Sequence, residues 1–259
     1  GEREQNSLQY NGYVGFASVA QNMDVLSANQ WREYVRSQNV ASALDYGAST
    51  DWQKELERTA ISHSHNILFS SSKKEHGYRA SATYNNNQGI IKRNNMNRLA
   101  GSLTAYQTAW QGRLRLDEGI NANFDRWHPI DTRIFERMVN LQPTFPVYNP
   151  DGSYAQLNGT NTENPVEINN NRTDDQKRHR FLGYLKMELN IIDGLKGTVN
   201  TSYEQNSVVG GIYKPSYARM EGQSEKGWGQ RTYSDYTNKQ IELYLTYDRM
   251  FGKDHHINI

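Results

Sequence analysis

Long stretches of the chain alternate between apolar and polar side chains with a period of two. In the clearest stretch, Tyr78, Ala80, Ala82 and Tyr84 alternate with polar neighbours. A period of two is typical of a β-strand whose two faces meet different surroundings. The alternating runs are about 10 to 16 residues long, whereas the strands of soluble sheets usually have roughly 3–10 residues. The pattern therefore predicts long strands, each with one apolar and one polar face.

Nine such strands are predicted, separated by residues that favour turns. Their predicted ranges are 8–20, 61–72, 77–87, 93–108, 112–126, 175–191, 195–207, 232–250 and 255 onward. The fifth predicted strand contains one irregularity, because Glu118 interrupts its apolar row.

The connections between these strands alternate in length. The second, fourth, sixth and eighth connections are short, whereas the first, fifth and seventh are long. Since antiparallel neighbours reverse direction at each turn, all the short turns are predicted at one end of the sheet and the long loops at the other. Outer-membrane barrels have this asymmetry, and a soluble β-sandwich has no physical reason to maintain it.

The composition agrees with a barrel wall. Hydrophobic residues make up 36% of the chain and the mean hydropathy is -0.90, yet 17 residues are Tyr. In a membrane-spanning barrel only alternate side chains contact lipid, and aromatic residues line both interfaces. The sequence therefore predicts an all-β fold, an antiparallel transmembrane β-barrel fragment of about nine strands of a larger barrel, with long extracellular loops that carry short helices.

Two capping patterns predict helices in the first long loop. Ser27 and Gln30 form a capping box, which predicts a helix through about Gln38. Asp51 is expected to cap a shorter turn through Arg58.

The connection over residues 127–174 is rich in Pro, Asn and Thr. A short helix is expected over Asp131–Leu141. The remaining residues of this connection favour turns rather than continuous elements.

Several classes of function are disfavoured by composition. The 29 Lys and Arg residues nearly balance 28 Asp and Glu residues, which argues against nucleic-acid binding. The lack of Cys excludes thiolate metal sites and disulfides. Serine-hydrolase, zinc-protease and P-loop motifs are absent from the sequence, so it predicts neither an enzyme nor a bound cofactor or metal.

A set of short motifs occurs in order along the chain. They are Tyr10–Gly15, Asp51-Trp52, Arg58–Ala60, His65-Asn66, Tyr78–Ser81, Gln88–Lys92, Pro146–Tyr154 and Ile192–Lys196. Each motif alone is weak, but the ordered set spans nearly the whole chain. Together they resemble the early barrel region of SusC/RagA-type TonB-linked outer-membrane transporters.

This resemblance implies a location, a function and partners. Members of the family import large nutrients, usually oligosaccharides and sometimes peptides, through an outer-membrane barrel that is filled by a plug. The TonB complex pulls on the plug, and a SusD-like lipoprotein covers the extracellular face. On this resemblance, residues 1–259 are a partial barrel domain in contact with outer-membrane lipid, and the plug, the region that meets the TonB complex and the later strands lie outside it.

Four aromatic residues in or beside the predicted long loops are candidates for substrate contact. They are Trp127, Tyr213, Tyr217 and Trp228. Aromatic rings stack on the apolar faces of sugars, and loops on a rigid scaffold often carry function. The alternative is that the same rings pack the loops together or contact the lipoprotein partner.

Two other functions stay open on sequence alone. A soluble β-rich glycan-binding or adhesion module would also suit the many Tyr and Asn residues, but its apolar rows would need large side chains that seal a core. Ala80, Ala82, Gly183 and Gly197 on these rows are small. A secreted glycosidase would need two carboxylates facing each other across a cleft, which the sequence does not exclude.

Overall fold

The computed structural model describes residues 5–40, 44–157, 162–218, 226–253 and 255–259. Within these ranges nine β-strands form one open antiparallel sheet, in which each strand pairs with its neighbours in the sequence. The strands are β1 Gln5–Ala17, β2 Ala60–Ser72, β3 His76–Gln88, β4 Asn95–Ala109, β5 Leu114–His128, β6 Thr173–Ile192, β7 Leu195–Lys214, β8 Trp228–Phe251 and β9 His255–Asn258.

All nine predicted strands are present, and the differences lie at their ends. The largest concern β7, which ends at Lys214 and not at residue 207, and β8, which begins at Trp228 and not at residue 232. The sequence lacks a continuous apolar row in these extensions, so the alternation stops there. Backbone pairing nevertheless continues until Lys214 lies opposite Trp228.

The sheet separates its connections into two ends. Residues 18–59, 89–94, 129–172 and 215–227 connect strands at one end, which we call the long-loop end. Residues 73–75, 110–113, 193–194 and 252–254 connect them at the other, the short-turn end; Asp254 lies outside the described residues. The tightest turn contains Gly194 with a φ of 81°, a conformation that Gly adopts without a steric penalty. The predicted asymmetry of the connections is confirmed.

Side chains of the sheet lie on an apolar face and a polar face. Directly paired residues share a face, and Leu103 pairs with Ala80 on one side and with Ile120 on the other. Leu103 and Ile120 are 46% and 48% exposed, and Leu243 on β8 is 70% exposed. The apolar rows are therefore not sealed inside a core of the described chain.

Four short helices lie in the described parts of the long loops. They are α1 Ala28–Ser37, α2 Trp52–Leu56, α3 Arg133–Asn140 and α4 Pro165–Asn171. The predicted capping box is present, because Ser27 Oγ accepts from the Gln30 amide and the Gln30 side chain accepts from the Ser27 amide. Asp51 caps α2 as expected. None of the described helices has the length and apolarity needed to cross a bilayer.

Helix α4 was missed by sequence reasoning, which expected turns in this part of the loop. Its N-cap is the fully buried Asn164, whose Oδ1 accepts hydrogen bonds from the amides of Val166 and Glu167 at 3.0 and 3.3 Å. The Asn164 side-chain amide donates to the backbone carbonyls of Val147 and Ala155 at 2.8 and 3.1 Å. The helix therefore depends on partners that are distant in the sequence.

Nine buried apolar residues of the described chain form one cluster in the loops. They are Trp52, Leu56, Ile91, Ile134, Leu141, Phe145, Val147, Ala155 and Val166, and we call them the loop core. The Trp52 indole N–H also donates to the backbone carbonyl of Gln142 at 3.2 Å. The first, third and fifth connections therefore form one packed unit at the long-loop end.

Asn164→Ala is expected to loosen the loop core. The substitution removes the cap of α4 and leaves buried backbone groups unpaired, each at a cost of about 1–3 kcal/mol. Hydrogen exchange at the amides of Val166 and Glu167 should accelerate by roughly tenfold or more. Asn149→Ala is the control, because the Asn149 amide donates to the exposed Ser153 hydroxyl; equal acceleration in both variants would contradict the assignment.

Candidate functional site at the long-loop end

A charged cluster lies on the polar face near the long-loop end. Asp125 on β5 pairs with Arg98 on β4 and with Arg178 on β6. The Arg98 and Arg178 Nε atoms donate to the two Asp125 carboxylate oxygens at 2.7 and 2.8 Å. The Asp125 side chain has no exposed surface, so its charge is tolerated because two guanidinium groups pair with it.

Trp127 is held next to this cluster. It follows Asp125 by two residues on β5, so both side chains lie on the polar face. The Arg178 guanidinium lies 5.9 Å from the centre of the Trp127 ring, within the range of a cation–π contact. The ion-pair cluster therefore restricts the position of the ring.

A second ionic cluster closes the base of the 129–172 loop. Asp131 follows β5 and Arg172 precedes β6, and their side chains form an ion pair. The Arg133 guanidinium also donates to the Asp131 carboxylate at 2.6 Å, and Arg172 donates to Asp174 at 3.2 Å. The two ends of the loop are thereby joined directly beyond Trp127.

Burial and charge act on Asp131 in opposite directions. Burial opposes ionisation of this carboxyl group, but hydrogen bonds from Arg133 and the positive charges of Arg133 and Arg172 outweigh it. They hold the pKa of Asp131 well below its usual value. Asp131 is therefore ionised at neutral pH.

The other three candidate aromatics occupy different positions. Trp228 begins β8 on the polar face, with the Lys214 ammonium 4.9 Å from its ring centre. Tyr213 pairs with Gly229 and lies on the opposite face. Tyr217 lies in the turn after β7 and is 71% exposed.

Trp127 and Trp228 are thus the two candidates that share the polar face. The row of paired residues through Trp127 continues across the sheet to Thr232 on β8. Trp228 lies on the same strand, four residues before Thr232. Three strand spacings separate β5 from β8, which is about 14 Å across the sheet. The two rings are therefore too far apart for one small molecule to contact both.

Sequence reasoning missed the cluster of Arg98, Asp125 and Arg178. Charged residues at the ends of strands are common, so the only usable signal was their common row in the sheet. That row depends on the pairing register, which the sequence does not specify. Among the described residues, no group of three or more His, Cys, Asp or Glu side chains is arranged to bind a metal ion.

The geometry is that of an open section of a large antiparallel barrel, with short turns at one end and structured loops at the other. No family model matches the chain. It is 32% identical over 160 residues to the TonB-dependent receptor SusC of Bacteroides thetaiotaomicron, covering 59% of the chain and 16% of that receptor. It is 22% identical over 263 aligned positions to the TonB-dependent receptor P3 of Formosa agariphila, covering 97% of the chain and 26% of that receptor.

Solved structures agree on the fold. The chain matches the RagAB peptide importer in its closed-closed and open-open states with TM-scores of 0.74 and 0.77, at 14% identity, over 100% of the chain and 34% of the matched chain. The predicted resemblance to SusC/RagA-type TonB-linked receptors is thereby confirmed, and so is the antiparallel barrel fold. The chain spans 16% and 26% of the length of these two curated relatives.

The ionic closure of the 129–172 loop should be insensitive to pH near neutrality. Because the pKa of Asp131 is lowered in the folded protein, its contribution to stability is complete above its unfolded-state pKa of about 3.9. That contribution is lost only as the pH falls through the lower folded-state value. Protection of the loop against proteolysis should therefore be constant between about pH 5 and 8 and should decrease in stronger acid.

Asp131→Asn should weaken this protection at neutral pH and remove its acid dependence. Asp151→Asn is the control, because Asp151 is exposed and accepts hydrogen bonds from the nearby Ser153. An Asp131→Asn variant that keeps the acid dependence of the original chain would show that another group closes the loop.

Proposed function

We propose that this chain forms an early part of the barrel of an outer-membrane nutrient importer. The observation that carries the proposal is the exposed apolar face of a nine-stranded sheet whose structured loops all lie at one end. The relatives are named as receptors and as a peptide importer, which supports transport rather than catalysis. Energy would come from the TonB complex acting on a plug, and a SusD-like lipoprotein would cover the long-loop end.

The domain assignment follows from the size of the sheet. Nine strands are too few for a wide barrel, since barrels with a plugged lumen have about 22 strands. In this proposal residues 1–259 are a partial barrel domain, and the plug and the later strands belong to other parts of the receptor. The polar face then lines the lumen, and the apolar face meets the lipid of the outer membrane.

A soluble glycan-binding or adhesion module is less compatible with the sheet. A sandwich covers its apolar face with a second sheet, and no such layer exists among the described residues. The large exposed side chains of this face, such as Leu99, Phe124 and Leu243 at 52%, 51% and 70% exposure, would then lie in water. Lipid contact explains the same exposure without a missing layer.

The substrate class is an oligosaccharide or a peptide. Trp127 and Trp228 on the lumen side offer ring faces that stack on a sugar or on a peptide side chain. Tyr217 is a third candidate in the adjoining loop. Tyr213, the fourth, is separated from them by its position on the apolar side of the sheet.

Alanine substitutions at Trp127 and Trp228 test this assignment in the full-length receptor. Each ring is expected to contribute about 0.5–1.5 kcal/mol, so substrate affinity should fall by roughly two- to tenfold per substitution. Trp110→Ala is the matched control, because Trp110 is 67% exposed and lies at the short-turn end. Affinity that stays unchanged in both test variants would remove these residues from the binding site.

Lysine substitutions at neighbouring positions test the lipid-facing assignment. Ala82→Lys places a charge in the middle of the apolar face and should destabilise the receptor in bilayers by about 2–4 kcal/mol. Thr83→Lys places the same charge in the lumen. It should destabilise the receptor by only about 1 kcal/mol, because it removes the hydrogen bond that Asn66 donates to Thr83. Denaturant titration of the bilayer-embedded receptor measures the loss of stability in both variants. Equal losses would contradict the membrane assignment.

A further inference from the structure

Strands β6, β7 and β8 continue beyond the apolar rows at the long-loop end. On the apolar face of these strands, Phe181 and Tyr203 form an aromatic pair whose ring centres are 6.3 Å apart. The Lys239 ammonium lies 6.0 Å from the centre of the Tyr203 ring. Beyond this level, the same face carries charged side chains together with Val209 and Tyr213.

This extension contains a cavity of about 610 Å³. Its lining includes Lys177, Val209, Gly211, Tyr213, Gly229 and Arg231, and we call it the outer trough. Two of these residues are Gly, and the nearest atom that an added Cβ would meet lies 4.0 Å away at Gly211 and 3.8 Å away at Gly229. The lack of side chains at these two positions therefore leaves the trough open.

The trough has two cationic side chains that the described part of the chain does not neutralise. Among the residues that the structure describes, neither Lys177 nor Arg231 has an ion-pair or hydrogen-bond partner for its side chain. The carboxylate of Asp175, which also lines the trough, already pairs with Arg126 at 3.5 Å and with His128. A second carboxylate on this face, that of Asp235, accepts a hydrogen bond from Ser207.

The two cations lie on opposite sides of the same strand. Lys177 on β6 pairs with Val209 on β7, and Arg231 on β8 pairs with Gly211 on β7. Their positions therefore flank the open floor of the trough at neighbouring levels. The Tyr213 ring, 53% exposed, lies one level further out on the same face.

The depth of the trough matches the headgroup layer of a membrane. Lys177 lies four residues beyond Phe181, which is about 13 Å along the strand and about 10 Å along the membrane normal at a usual strand tilt. Headgroups occupy the region just outside a hydrocarbon core of about 30 Å. The trough also lies on the same face as the lipid-facing rows, directly beyond their outer end.

We propose that the outer trough binds the phosphate group of an anionic lipid in the outer leaflet, with Lys177 and Arg231 as the cationic contacts. The proposal rests on the membrane orientation proposed above. A lipid is the expected source of the phosphate because the acyl chains below such a headgroup would lie against the apolar rows of β6 to β8. A free phosphate ion in solution would gain nothing from those rows.

The test uses the full-length receptor in detergent micelles, titrated with phosphorylated lipid A and with the same lipid after removal of its phosphate. The combined substitutions Lys177→Gln and Arg231→Gln should weaken binding of the phosphorylated lipid by roughly tenfold or more. Binding of the dephosphorylated lipid should change little. Unchanged affinity for the phosphorylated lipid would overturn the proposal.

Two further variants separate the trough from general effects of charge and folding. Lys186→Gln removes the same charge from the polar face of β6, where Glu188 keeps Lys196 as a partner at 3.2 Å, and it should leave lipid affinity unchanged. Gly211→Val keeps both cations but fills the floor, and it should also weaken lipid binding. An equal loss in Lys186→Gln, or no loss in Gly211→Val, would contradict a local site.

Inorganic phosphate distinguishes the lipid from a free anion. Millimolar phosphate should displace little of the lipid, and displacement at equal concentration would assign the trough to a soluble anion. Substrate uptake should be unchanged in the double variant, because neither residue lies on the lumen side. If the Ala82 and Thr83 variants behave as expected while lipid affinity does not change, only the trough proposal fails.

Discussion

The structure depends on the backbone hydrogen-bond ladder that joins consecutive strands. Pairing runs residue by residue from β1 to β8, and its only register shift in the described sheet lies between Asn190 and Ile192. Each interior strand satisfies its backbone polar groups through its two neighbours. A sheet of this kind needs no second layer to pair its backbone, which is the condition that a bilayer imposes on a spanning structure. The apolar face can therefore stay free of protein contacts.

The loops need a different source of stability, because they carry few paired strands. Their order comes from the loop core and from contacts that tie it to the sheet. Arg58 illustrates this connection: its backbone amide donates to the Ile90 carbonyl at 2.8 Å, and its guanidinium donates to the Gly89 carbonyl at 2.9 Å. The first loop is thereby joined to the connection between β3 and β4. This packed unit holds the strands, and Trp127 with them, in a fixed arrangement at the long-loop end.

The strands and their faces could be predicted because alternation is a local property of the sequence. The caps at Ser27 and Asp51 were predictable for the same reason, since each side chain bonds to an amide three residues away. Helix α4 could not be predicted, because Asn164 takes partners 17 and 9 residues away in a turn-rich loop. The helix forms because of tertiary contacts, which a local sequence pattern does not reveal.

The charged cluster around Asp125 has the same limitation. Its members come from three strands, and only the register brings them into one row. Glu118 remains without an explanation: it pairs with Ala105 and Leu185 on the apolar face and is exposed there. The irregularity that the sequence displays is thus a real feature of the sheet, and nothing in the structure accounts for it.

The register of the β7–β8 hairpin decides which environment each of its side chains meets. Trp228 and Tyr213 lie at the same end of this hairpin but on opposite faces, and a slip of one residue in one strand would exchange the faces of that strand. Two side-chain hydrogen bonds between directly opposed residues oppose such a slip. Asn200 donates to Glu242 at 3.2 Å on the polar face, and Ser207 donates to Asp235 on the other. A slipped register would break both bonds, so the polar pairs that fix the hairpin also keep Trp228 and Tyr213 on their separate faces.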